Sequence, residues 1–407
     1  MTRKITISPV TRIEGHAKIT IHLDDAGQVD QSFFHVEQFR GFEKFSEGRM
    51  YYEMIQITPR ICGICPVSHH LASAKACDQV ASVSPPAGAH KLRELMHMGQ
   101  IIQSHGMHFF ELAGPDIILG FDADPAIRNV AGLVEANPDL VLKAVRLRGF
   151  GQSIISTLGG RRIHPVFAVP GGVNSPLSPQ DRDAILQGID EHLATAQVGL
   201  SLFKDWVEQN QDTVDSFAVF PSAHMGLVKG DGALELYEGQ VRLVDCDGRL
   251  LEEFDPSDYL EHIGEHVEPY TYLKFPFHKT IGWPEGVYRV GPLGRLNAAT
   301  SISTPLAQSE MKVWKSLNGG KPVEATLYYH YARLIELIYA LERTQELLDD
   351  PGITGPDVAG PAGALAGEGI GCIEAPRGTL FHHYWTDENV YTSLPRGCKP
   401  SLGASRR

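Results

Sequence analysis

Two cysteines three positions apart carry the most specific chemistry in this chain, within Arg60-Ile61-Cys62-Gly63-Ile64-Cys65-Pro66-Val67-Ser68-His69. At that spacing a tight turn can point both sulfurs the same way, so that they hold one soft metal. Gly63 permits the tight backbone between them. Pro66 suits the first turn of a helix. A helix starting there leaves unpaired backbone N–H groups near the sulfurs, which favours thiolates. His69 lies one turn further on, where it can hydrogen-bond a sulfur without being a ligand. The same spacing also serves half a zinc site, a redox dithiol or two buried thiols. No second C-x-x-C is present to close a structural zinc site.

Three other segments place polar residues in restrictive surroundings. In Pro9-Val10-Thr11-Arg12-Ile13-Glu14-Gly15-His16, Glu14 is either a proton carrier or a paired surface carboxylate. In Phe39-Arg40-Gly41-Phe42-Glu43-Lys44, Glu43 offers a hard oxygen for a cation such as magnesium, or simply a salt bridge. In Glu374-Ala375-Pro376-Arg377-Gly378, a rigid turn presents a guanidinium suited to an anionic or strongly accepting ligand, or one that caps its own loop.

The elements that must position these residues are readable from periodicity. Residues 4–37 predict two or three strands, with Lys18 to Leu23 alternating and a turn at Asp24-Asp25-Ala26-Gly27. Helices are predicted over 66–83, 90–113 and about 326–349. Leu92, Leu95, Met96, Met98, Ile101 and Ile102 face the core in the second, and Leu334, Ile335, Leu337, Ile338 and Leu341 in the third. Residues 179–210 read as one long helix with a break near Leu193. Residues 233–254 read as a strand meander turning at Glu238-Gly239 and Asp247-Gly248. Residues 270–300 read as ordered but irregular, and 351–371 as a Gly, Pro and Ala loop. The sum is a mixed α/β, helix-rich fold with small peripheral sheets. No clean linker divides it, so residues 1–389 read as a single domain and 390–407 as a divergent, disordered tail.

Bulk properties narrow the function. The chain has 407 residues, 43% hydrophobic and 21% charged, enough to bury a sizeable core. Its net charge of -13 argues against nucleic acid and anionic membrane partners. There is no run of about 18 apolar residues and no signal-peptide pattern at the start, so a reducing cytoplasm is the default location. Six cysteines (Cys62, Cys65, Cys77, Cys246, Cys372 and Cys398) are too few for a disulfide framework in a chain this long. They are also too few for iron-sulfur clusters in addition to a metal site. No convincing G-x-G-x-x-G follows a strand, so NAD has no motif here.

Together, P-V-T-R-I-E-G-H at 9–16, R-G-F-E at 40–43, R-I-C-G-I-C-P-V-S-H at 60–69 and E-A-P-R-G at 374–378 resemble, in order, the large subunit of nickel-iron hydrogenases. The resemblance runs from residue 3 to about 389 and is nearest the soluble NAD-reducing branch. Phrases such as Tyr272-Leu273-Lys274-Phe275-Pro276 and Thr379-Leu380-Phe381-His382-His383-Tyr384 carry that finer likeness. It implies the hydrogenase large-subunit fold, with a central helical bundle, and heterolytic oxidation or evolution of H2. The implied cofactors are a nickel-iron centre with CO and CN ligands and a structural Mg2+. By motif position, Cys62 corresponds to a terminal nickel ligand and Cys65 to a nickel-iron bridge. Glu14 corresponds to the first proton carrier, Glu43 to a magnesium ligand and Arg377 to the arginine over the metals. His69 corresponds to the histidine bonded to the bridging sulfur, while Asp116 and His105 would line the same cavity. The implied partners are a small subunit carrying Fe-S clusters, diaphorase-type subunits that handle NAD, and maturation proteins.

The sequence departs from that family at its far end. The family's D-P-C-x-x-C motif followed by histidine, which supplies two more thiolates, is absent, and neither Cys372 nor Cys398 stands in such a context. The similarity fades near Asn389, as a truncation or frameshift would produce. The expectation is a centre half supplied with ligands that binds metal weakly. Two alternatives remain open at this level. One is a catalytically inactive scaffold of the kind related to respiratory complex I. The other is a small zinc-binding module built on Cys62 and Cys65.

Overall fold

A computed structural model of the chain describes residues 3–361, 363–389 and 391–393. The chain forms two compact units, one made of residues up to Phe45 together with Tyr259–Tyr288, the other of Ser46–Asp258 and the remainder from Arg289.

In the first unit, strands Arg3–Ile7, Ala17–Leu23 and Val29–Val36 form an antiparallel sheet in that order. The predicted turn is there: Asp24 Oδ1 accepts from the N–H of Ala26 (2.9 Å) and Gln28 (2.8 Å), and Gly27 takes a φ of 79°. Strands Ile263–Val267 and Lys274–His278 form a separate hairpin. Part of the stretch expected to be irregular is therefore a strand, whose Phe275-Pro276-Phe277 core the aromatic and proline content disguised.

The second unit is built on helices. Ala87–Met107 continues through a π-helical turn at His108–Ala113, so the predicted 90–113 segment is one element with a widened final turn. All six of its predicted core residues are fully buried. Burial of each Leu, Ile or Met stabilises by about 1.5–3 kcal/mol before chain entropy is subtracted. Helix Tyr329–Asp349 likewise buries all five of its predicted apolar positions. The 179–210 segment is two helices, Pro179–Leu186 and Ile189–Gln209. The break falls at Gly188, not near Leu193; glycine is a poor helix former because its backbone loses the most freedom on ordering, and a Cβ here would stand 3.0 Å from the Phe150 ring. A helix not expected from periodicity, Pro138–Gly159, starts on an Asn137 side chain that accepts from Leu140 N–H and stops at left-handed Gly160.

The expected meander is a sheet of Ala223–Val228, Gln240–Val244 and Leu250–Phe254. Its turn at 245–248 is as predicted, but the strand before Gly239 lies further upstream than 233. Helix Gly291–Ala298 also falls inside the segment expected to be irregular. It is short and buried all round, so it has no polar face to reveal its period.

Helix Pro66–Val80 and the hairpin of Glu368–Ala375 with Gly378–Thr386 matter most for the site. The helix is buried on every side except at Lys75 and Gln79. Gly369 and Gly371 let the hairpin lie directly on it. A Cβ on Gly371 would stand 1.9 Å from the Ala72 carbonyl oxygen, and one on Gly369 would stand 2.2 Å from that of Ala76. Of the expected tail only residues 391–393 are described, and strand Thr392–Ser393 pairs with the end of this hairpin.

Candidate metal centre

The site grows from two chain reversals brought together by that packing. On one side, Cys65 is the N-cap of the helix and Pro66 its first residue, as the sequence predicts. The Cys65 backbone N–H donates to the Cys62 sulfur at 3.2 Å. On the other side, the strands pair up to Ala375 opposite Gly378, which leaves Pro376 and Arg377 as a two-residue turn. The Arg377 guanidinium reaches from that turn across to the sulfurs. Its Nη2 lies 3.0 Å from Cys65 Sγ and 3.8 Å from Cys62 Sγ. Both cysteines are buried and neither is in a disulfide.

Behind the sulfurs lies a polar cluster. His69 Nδ1 meets His382 Nε2 at 3.1 Å, His382 Nδ1 meets the Tyr384 hydroxyl at 2.7 Å, and that hydroxyl donates to Ser73 Oγ at 2.9 Å. These buried groups satisfy one another. Burial holds His69 down at about 4, with the Arg377 charge adding to it, so the ring is neutral. Burial lowers His382 well below the ordinary histidine range, and the neighbouring His69 adds to this. The sequence reading missed His382 and Tyr384 as site residues. Their spacing of two on a strand, which puts both on one face, is the signal that could have found them.

A second cluster lies beneath the arginine turn. Arg295 is fully buried and pairs with Glu336 and Glu374. His105 belongs here: its Nε2 contacts Glu336 Oε2 at 2.8 Å. Burial lowers His105 to about 4, whereas for Glu336 burial is outweighed by Arg295 and His105, which hold it at about 2. The pair is thus a neutral imidazole donating to a carboxylate.

The remaining candidates are placed as follows. Asp116 sits on helix Gly114–Leu119, with Arg128 Nε 3.6 Å from its Oδ1. Glu43 and Glu14 belong to the first unit. Glu43 is ion-paired with Arg40, whose Nε donates to it at 2.5 Å, and Glu14 is exposed between the first two strands. Of the other described cysteines, Cys77 donates to the Tyr51 carbonyl oxygen and Cys246 is exposed. Burial pushes the Cys372 thiol far up. Cys398 lies outside the described residues. Among the described residues no group of three or more His, Cys, Asp or Glu side chains has the geometry of a metal site. No helix among them is long and apolar enough to cross a membrane.

Two buried sulfurs facing a guanidinium are a soft donor pair of the kind that can hold a metal. Comparison with known proteins identifies the family of the chain. The HoxL-like family profile matches residues 4–39 and that of nickel-dependent hydrogenases matches residues 40–131. The chain is 47% identical over 386 residues to a subunit of the F420-non-reducing hydrogenase vhu of Methanococcus voltae, covering 95% of this chain and 91% of that one. It is 45% identical over 402 residues to the HoxS beta chain of the NAD-reducing hydrogenase of Cupriavidus necator, covering 95% and 82%. Its fold superposes on the crystal structure of an NAD+-reducing [NiFe]-hydrogenase in the H2-reduced state with a TM-score of 0.93 and 42% identity, covering 96% and 87%. The chain belongs to the large-subunit family of nickel-dependent hydrogenases, oxidoreductases that act on hydrogen.

Proposed function

We propose that Cys62 and Cys65 hold a nickel-iron centre in this chain and that Arg377 closes over it. The observation that carries this is the guanidinium 3.0 Å from Cys65 Sγ and 3.8 Å from Cys62 Sγ, from a turn more than 300 residues away. The donor set fits the group. Thiolates are the soft ligands that nickel and iron favour, and a dry guanidinium suits anionic ligands on iron. The two sulfurs account for part of a full ligand set. When bound, the centre supplies the redox chemistry that splits or forms dihydrogen.

The chain's own residues orient and insulate. Arg377 donates an N–H to Cys65 Sγ and keeps positive charge at the opening. Neutral His69, packed against His382, fills the space behind the sulfurs without adding a charge. Glu14 would pass protons onward and Asp116 would help shape the cavity, as their motif positions suggest. Glu43 would coordinate Mg2+, for which it would have to exchange its Arg40 partner.

Electrons leave through partners. We infer a small subunit with Fe-S clusters and, on the strength of the NAD-reducing relative, diaphorase-type subunits that reduce NAD in the cytoplasm. Elemental analysis and H2-dependent dye and NAD reduction, measured on the chain co-purified with its small and diaphorase-type subunits, test the reading. Nickel and iron in equal amounts with turnover support it. Zinc alone, or no metal, refutes it. Dye reduction without NAD reduction would keep the centre and refute the acceptor. Separately, Glu43→Gln is expected to lower magnesium content while leaving nickel unchanged.

A further inference from the structure

Arg295 lies on helix Gly291–Ala298, beneath the turn that carries Arg377, and each of its five N–H groups has an acceptor. Nε donates to Glu336 Oε1 at 2.6 Å, and Nη2 donates to Glu336 Oε2 at 2.7 Å and to the Pro376 carbonyl oxygen at 3.2 Å. Nη1 donates to Glu374 Oε2 at 2.8 Å and to the Ala375 carbonyl oxygen at 2.9 Å. A buried arginine needs a counter-charge, and one carboxylate would suffice. This one also binds the two carbonyls that immediately precede Arg377. Glu374 is fixed from its other side, since its Oε1 accepts from Leu227 N–H at 3.0 Å and from the Thr379 hydroxyl at 2.8 Å.

We propose that Arg295 is a positioning residue for Arg377. Its fork holds the Ala375 and Pro376 carbonyls, fixes the tip of the hairpin, and so sets where the Arg377 guanidinium meets Cys65. An arginine side chain has many rotamers to sample. A turn free to rock would let it sample several positions over the sulfurs, and the fork removes that freedom at the backbone. Only the catalytic meaning of this placement rests on the nickel-iron reading above; the placement itself concerns the apoprotein.

The test therefore uses the full chain purified without added nickel, with iodoacetamide as probe and peptide mass spectrometry to follow Cys65 at fixed pH. Arg377→Gln removes the cation that favours the thiolate and is expected to slow Cys65 modification roughly tenfold. Arg295→Lys keeps the charge but cannot fork. It is expected to slow Cys65 roughly threefold in the native background and to have no effect on an Arg377→Gln chain, because its influence passes through Arg377. Thr379→Val loosens Glu374 more gently and is expected to act in the same direction; it carries the test if Arg295→Lys does not fold. Equal slowing in both backgrounds would overturn the proposal. So would faster modification in Arg295→Lys, the sign of a site merely opened to solvent, or an Arg377→Gln chain unchanged from wild type. None of these results depends on whether the chain binds nickel, so failure here is distinct from failure of the proposed function.

Discussion

At the scale of residues, the two fully buried arginines, Arg93 and Arg295, each have an acceptor for every guanidinium nitrogen. Arg93 repeats the pattern of Arg295 at the far end of helix Pro66–Val80. It is fully buried, its Nη1 and Nη2 straddle the Asp78 carboxylate, and its remaining N–H groups reach the carbonyls of Val169 and Gly172. Asp78 also accepts from Gly171 N–H at 2.6 Å. Removing one partner of such a pair leaves an uncompensated charge in the core, which costs more than the pair itself contributes. Asp78→Ala is therefore expected to destabilise the chain by about 3–5 kcal/mol in urea denaturation. A loss below about 1 kcal/mol would mean that water reaches Arg93 in solution.

At the scale of elements, the site exists because a helix and a hairpin run alongside each other in matched register. Gly369 faces Ala76 and Val80, and Gly371 faces Ala72 and Ala76. Two strand residues advance about 6.6 Å and four helical residues about 6 Å. Continued along both, that match carries the strand end at Ala375 towards the helix start at Pro66, which is where Arg377 meets Cys65. Gly371→Ala places a methyl on the Ala72 carbonyl and must push the hairpin off the helix. The expected loss is about 1–3 kcal/mol or more. Hydrogen exchange should quicken along Glu368–Ala375, whereas the first-unit strands, which share none of this packing, should be unchanged.

This register also marks how far the sequence could be read. The Cys62 and Cys65 turn, the helix after Pro66 and the Arg377 turn were each legible because local chemistry specifies them. Their meeting was legible only through family resemblance, since nothing near Gly369 or Gly371 announces which helix they must clear. Arg295 was missed because its partners lie on other elements, and His382 and Tyr384 because, although they bond each other along one strand, the groups they serve, His69 and Ser73, lie on the helix. Helix Pro138–Gly159 was missed despite its Asn-Pro start and Gly-Gly stop, which are readable signals. Helix Gly291–Ala298 offers no comparable signal, since burial all round erases the apolar stripe that reveals a period.

At the scale of the molecule, the core is tuned to neutral histidines. His69, His70, His97 and His105 are all buried, and burial holds them at about 4, 4, 3 and 4 respectively. His70 shows why. Its Nε2 accepts the Ala168 N–H at 2.8 Å, so its proton must sit on Nδ1, facing the Ile55 carbonyl oxygen at 3.0 Å. A second proton would confront the Ala168 N–H. The unfolded chain takes up these protons near the ordinary value of about 6.5, whereas the folded chain refuses them until about 4 or below. Their stabilisation is therefore complete above about pH 6.5 and lost as pH falls from there towards about 4, by about 1.4 kcal/mol per pH unit for each histidine at the steepest point. Glu336, held at about 2, loses its contribution in a lower window, between its ordinary value of 4.5 and about 2. The two windows separate the causes. The urea midpoint of the full chain is expected to fall steadily between about pH 6.5 and about 4.5, above the window in which Glu336 loses its contribution. His70→Gln, which cannot titrate, is expected to make that slope shallower by the share of one among several buried histidines, His330 and His382 included. An unchanged slope in His70→Gln would show that this ring is protonated, or reached by water, in the native protein.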